Sequence, residues 1–142
     1  MNRRRLIAAV AAASAVTSSP ALASGGRAAP AAPSVMTLSG VSLPVIEGGR
    51  LRNYVFVSLR LVLGAQQTPR TMRDKAAFLR DALVRAAHRT PFTVAGDWNR
   101  LDERALAASL IRSADAISGR GSVARVEVVS QSPRRAMTTP RA

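Results

Sequence analysis

The chain has 142 residues, enough for one domain, and no cysteine, which excludes disulfides, thiol nucleophiles and cysteine-based metal sites. Its 21 Lys and Arg outnumber 8 Asp and Glu, a formal net charge of +13 carried almost wholly by arginine. Such a balance suits an acidic partner or an anionic membrane surface, but Arg- and Ala-rich chains also arise from GC-rich coding, so charge alone selects no function.

The front end speaks to compartment. Arg3, Arg4 and Arg5 are followed by the apolar run Leu6 to Val16, and Ala21-Leu22-Ala23 gives a small-x-small cleavage pattern before Ser24. A spanning helix needs roughly 20 apolar residues, so residues 1–23 read as a secretory signal peptide cleaved after Ala23, with a periplasmic product. The arginines also fit a loose twin-arginine pattern, which leaves the export route open. Residues 24–34 are small and Pro-rich, the composition of a flexible linker.

Residues 35–131 carry the patterns of a folded domain. Met36, Leu38, Val41, Leu43, Val45 and Ile46 alternate weakly, interrupted by Gly40 and Pro44, as in an edge strand that Pro44 confines or ends. Glu47-Gly48-Gly49-Arg50 is a turn, so a hairpin with the next strand is the economical arrangement. That strand, Tyr54 to Leu63, places Val55, Val57, Leu59, Leu61 and Leu63 on one face and Tyr54, Phe56, Ser58, Arg60 and Val62 on the other. A sheet covered on one side only has this pattern.

Past Gly64 the apolar period changes from two to about 3.6. Met72, Ala76, Leu79, Leu83 and Ala86 or Ala87 form one face of a helix over residues 69–88, with Thr68 as N-cap and Pro69 at its first position. Arg70, Asp74, Asp81 and Arg85 lie opposite, as a solvated face. Arg89 to Trp98 reads as a break. Asn99 is the expected cap of a second helix, with Asp102 and Glu103 in its first turn, Leu106, Leu110, Ala114 and Ile117 as its stripe and Gly119 as its stop. Val123 to Gln131 forms a last strand with Ala124, Val126 and Val128 on one side, and residues 132–142 read as a disordered basic tail. The order strand-strand-helix-helix-strand predicts an α+β domain, a small sheet of about three strands with two amphipathic helices on one face.

The run LPVIEGGRLRNYVFVSLRLVLG, the helix holding Met72-Arg73-Asp74 and Leu79-Arg80-Asp81-Ala82-Leu83, the second helix, the Gly turn and VARVEVVSQ together resemble the periplasmic domain of the flagellar basal-body-associated FliL family. The pieces that match are Arg80-Asp81-Ala82-Leu83 and Val128 to Gln131, and the resemblance covers about residues 40 to 131. It implies a stomatin-like α+β domain without catalysis that self-associates in rings and contacts the stator units of the motor. Members of that family carry a transmembrane helix before the domain, where this chain has a cleavable-looking signal and a linker.

No reactive constellation accompanies these patterns, and no catalytic, cofactor-binding or metal residues are assigned. The single histidine, His88, stands near a helix end, where a positive charge is favourable. Zinc would need three or four ligands, more than the chain offers around it. Asp97, Asp102 and Glu103 are the densest carboxylates, and helix capping explains two of them. Ser58 lacks a G-x-S-x-G setting, and Gly119-Arg120-Gly121 follows a helix instead of opening one. Trp98, Tyr54 and Phe56 are too scattered for base stacking, so nucleic acid is not an expected partner; Phe78 and Phe92 read as core or rim. The expected partners are envelope proteins, stator or basal-body components among them, further copies of the chain, and an anionic membrane surface met peripherally.

Overall fold

The computed structural model describes residues 32–138. The segment expected to be a signal peptide, residues 1–23, and most of the expected linker lie outside the described residues. Strand β1 (Val35–Glu47) turns through Gly48-Gly49 into β2 (Arg50–Leu63), and β2 pairs on its other side with β5 (Val123–Pro133), giving an antiparallel sheet of order β1-β2-β5. Between β2 and β5 come α1 (Pro69–Asp74), α2 (Ala76–Arg89), the short hairpin β3 (Thr93–Val94) and β4 (Asp97–Leu101), and α3 (Glu103–Ser118). The expected α+β domain is therefore present, with one more helix and a second, two-stranded sheet.

All five odd-numbered apolar residues of β2, Val55 through Leu63, are buried, and the register carries that face across the sheet. In β1 the inward set is even-numbered up to Leu38 and odd-numbered from Val41, because a bulge between them inserts one extra residue. Gly40, at φ 69, takes the left-handed conformation that the bulge demands. Leu38 and Val41 therefore both face the core, although strict alternation would have turned one outward. Pro44 stays inside β1, as an edge strand permits. Strand β5 shifts in the same manner: Val123 and Val126 are buried, Ala124 is exposed, and Val129 bulges out of register. The expected inward set Ala124, Val126, Val128 is corrected to Val123 and Val126, with Val128 packed at the edge of the core.

The helices cover this face. Thr68 caps α1, its hydroxyl accepting from Thr71 N at 3.2 Å while Thr68 N donates to Thr71 Oγ1 at 3.3 Å. The single helix expected over 69–88 is divided at Lys75, whose N–H tightens onto Met72 O at 3.1 Å, yet Met72, Leu79, Leu83 and Ala87 continue as one buried stripe. On the solvent side Asp81 and Arg85 pair at 2.7 Å, well exposed and worth about 0.3–0.5 kcal/mol. Helix α2 packs over β1 and α3 over β5, so the sheet's inner face, α2 and α3 enclose one core. Phe92 joins it, whereas Phe78 stands 61% exposed on α2.

Two further expectations are corrected. Asn99 lies in β4 and caps no helix; Asp102 is the N-cap, its Oδ1 accepting from Arg104 N at 2.9 Å and Ala105 N at 3.1 Å. Asp102→Ala should accordingly cost about 1 kcal/mol in urea unfolding, and Asn99→Ala should leave α3 helicity unchanged by circular dichroism. The break at 89–98 contains β3 and the start of β4, and residues 132–138 are not loose. The β5 ladder runs through Pro133, and Arg134 N donates to Tyr54 O at 2.7 Å. At the other end Ser34, assigned to the linker, already accepts from Leu63 N at 2.8 Å.

Candidate functional site at the arginine-lined end of the sheet

Strand β2 begins Arg50-Leu51-Arg52-Asn53-Tyr54, and Asn53 is the residue that organises what surrounds it. It occupies the next inward position after Val55, a place where a polar group needs partners. Its Nδ2 donates to Trp98 O at 3.0 Å and to Arg135 O at 2.8 Å, and its Oδ1 accepts from Tyr54 N at 2.9 Å. One amide thus ties the small hairpin and the stretch after β5 to the central strand. Asn99 repeats the device, its Nδ2 donating to Met137 O at 2.7 Å and its Oδ1 accepting from Met137 N at 2.8 Å.

Trp98 is fixed from both sides. Its indole N–H donates to Glu47 Oε2 at 2.7 Å, and the Arg52 guanidinium lies 5.0 Å from the ring centroid, a cation–π distance. Gly96 N donates to the other Glu47 oxygen at 3.2 Å. The indole hydrogen bond, then the Gly96 amide, hold the Glu47 carboxyl below its ordinary 4.5; Arg52 adds to this and slight desolvation opposes it. A carboxyl whose pKa is lowered in the folded state contributes stability above its unfolded value, and that contribution is lost as pH falls through the folded value. The stability gap between wild type and Glu47→Gln should therefore shrink on acidification below about pH 4.5. Denaturant midpoints measured across that range check this, and a gap independent of pH would contradict it.

Beside these contacts a pocket of about 270 Å³ is lined by Leu51, Arg52, Asn53 and Tyr54 of β2 and by Arg134, Arg135 and Met137 beyond β5. Arg52, Arg134 and Arg135 belong to none of the three ion pairs among the described residues. Arginine side chains at this site can neutralise and hydrogen-bond an anion. A wider groove of about 480 Å³ between the end of α2 and α3 is lined mainly by alanine and serine, with Arg89 and Arg112.

The residues weighed from sequence do not converge. His88 is exposed in the last turn of α2, and Ser58 sits on the outer sheet face. Asp97 Oδ1 accepts from Asn99 N at 2.9 Å, and Glu103 accepts from Gln131 Nε2 at 3.0 Å. Gly121 N donates to Asp115 Oδ1 at 2.9 Å, closing the turn after α3. Among the described residues no three metal-ligating side chains cluster, and no helix is long and apolar enough to cross a membrane. Tyr54 lines the pocket with Arg52, Arg134 and Arg135, and Trp98 lies under the Arg52 guanidinium. The signal that could have found this was Asn53, the one polar residue on the apolar parity of β2. What fold and site define is an α+β domain with a one-sided core and an arginine-lined pocket; the chain matches no protein-family model, no curated protein and no solved structure.

Proposed function

We propose that the chain is a non-enzymatic periplasmic protein resembling FliL, acting through protein contacts at the flagellar motor or a similar envelope complex. The observation that supports it is the sheet face without helices. There Phe56 is 45% exposed and Val35 38% exposed, and the register places both on one side with the half-buried Tyr54 and Val62. Exposed apolar surface on an otherwise charged small protein suits docking to another protein. Affinity capture of a chromosomally tagged copy from crosslinked cells tests it. Recovery of stator or basal-body components, reduced by Phe56→Glu, is the expected result. Recovery of no flagellar protein, with unaltered motility on deletion, would overturn it. Mass spectrometry of the captured chain should find Ser24 at its N-terminus.

A second reading, an exported basic module for an anionic membrane surface or an acidic partner, is favoured by the unpaired arginines at the sheet end. Its mark would be association that weakens with salt, since the Debye length falls from about 10 Å at 0.1 M to about 3 Å at 1 M.

A further inference from the structure

Arg52 combines features that surface arginines seldom share. Its side chain lies over Trp98, and its Nε is buried without a hydrogen-bond partner among the described residues. All 8 acidic side chains of the chain fall between Glu47 and Glu127, within the described range. Glu47 is the carboxylate whose charge acts on Arg52, and its two oxygens already accept from Trp98 and Gly96. A buried donor left unsatisfied is unfavourable, and since Nε is closed to solvent, only a shift of the Arg52 side chain brings it to an added acceptor.

The second observation is the pocket next to it. Arg134 and Arg135 enter its wall on backbone held from two sides, by Arg134 N to Tyr54 O and by Asn53 Nδ2 to Arg135 O. Met137 is held in turn by Asn99. These contacts fix the backbone that carries Arg134 and Arg135 beside a small concavity that Arg52 also lines, before any ligand arrives, which reduces the ordering that binding would otherwise require. At about 270 Å³ the pocket falls just below the roughly 300–1,000 Å³ of sites that enclose drug-sized molecules. It suits a single headgroup. Three guanidinium forks offer more donors than one carboxylate can accept, whereas a phosphate presents several charged oxygens to forks of matching geometry.

We propose that this pocket binds a phosphate group through the Arg52, Arg134 and Arg135 guanidiniums, with the Tyr54 hydroxyl at its edge. The proposal rests on the basic-module reading and gives it a site and a ligand class. The phosphate can come from a lipid headgroup or from a soluble phosphorylated compound, and the two are separated by the test.

Inorganic phosphate is titrated into the full chain and followed by amide and arginine Nε–H NMR shifts, with sodium chloride at matched ionic strength as control. Saturable shifts at Arg52 to Tyr54 and Arg134 to Met137, given by phosphate and not by chloride, are expected. The double variant Arg134→Gln/Arg135→Gln should weaken binding about tenfold or more. Arg70→Gln/Arg73→Gln, with the same charge removed from α1, should stay within about twofold of wild type. The same variants are then sedimented with phosphatidylglycerol vesicles. Vesicle binding competed by phosphate identifies a lipid headgroup, and phosphate binding without vesicle binding identifies a soluble compound; either supports the pocket. Equal losses in both double variants would overturn the pocket while leaving the basic-surface reading intact. Binding to neither phosphate nor vesicles would overturn both, and binding of an acidic peptide alone would overturn the phosphate.

Discussion

Leu59→Ala is expected to destabilise the protein by about 2–5 kcal/mol, enough to remove much of the 5–15 kcal/mol typical of a domain this size. Leu59 is fully buried at the middle of the central strand, paired with Leu38 on one side and Val128 on the other. It faces the layer of α2 and α3. Truncation there leaves a hole bounded by three strands and two helices, none of which can move inward without dragging its partners. For a domain of about 100 residues each kcal/mol moves the midpoint by roughly 4–8 °C, so a fall of about 10 °C or more is expected in thermal unfolding. The control lies on the same strand. Phe56→Ala removes a larger side chain from the opposite, exposed face and should cost under about 0.5 kcal/mol. Similar losses for the two in denaturant melts would show that the outer face is covered in the isolated protein.

Gly64→Ala should cost about 3 kcal/mol for a different reason. Gly64 is not in a left-handed conformation; it is a point of close approach. Its N–H donates to Ser122 O at 2.9 Å, and a Cβ added there would overlap the Gly121 carbonyl oxygen. Both parties are backbone, so no rotamer change relieves the clash. Either β2 leaves the sheet early or the turn between α3 and β5 moves away, and the second option disturbs buried Ser122, whose hydroxyl donates to Ala114 O at 3.0 Å. Gly48→Ala is the comparison: its φ of 60 makes alanine strained, but open space surrounds it, and about 1 kcal/mol is expected. If Gly64→Ala cost no more than Gly48→Ala, the close approach would not be limiting.

Much of the fold was legible because its main elements carry strong local periods. The five inward residues of β2, the stripes of the helices, the Thr68 cap and the turn at Gly48-Gly49 all appear as expected. What escaped depends on contacts between distant residues. Strand β3 has only two residues and β4 only five, too short for a period, and their hairpin is held by Thr93 Oγ1, which donates to Ile46 O at 2.8 Å. Asn99 had the chemistry of a cap, but Met137 claims its side chain and Asp102 takes the role. The bulges that change parity in β1 and β5 depend on cross-strand register, of which the sequence shows only Gly40. The arginine-lined pocket was illegible for the same reason, since the β2–β5 pairing and the Asn53 bond to Arg135 O bring distant segments together.

The position of β2 between β1 and β5 also orders events in time. Its pairing with β1 is local and can form within microseconds of a turn closing, whereas its pairing with β5 joins opposite ends of the domain and must await closure of a long loop. Until Val123–Pro133 has been synthesised, α2 can already cover β1 and meet α3, but the open edge of β2 and the part of the α3 stripe that packs on β5 have no partner, so the sheet and its core close last.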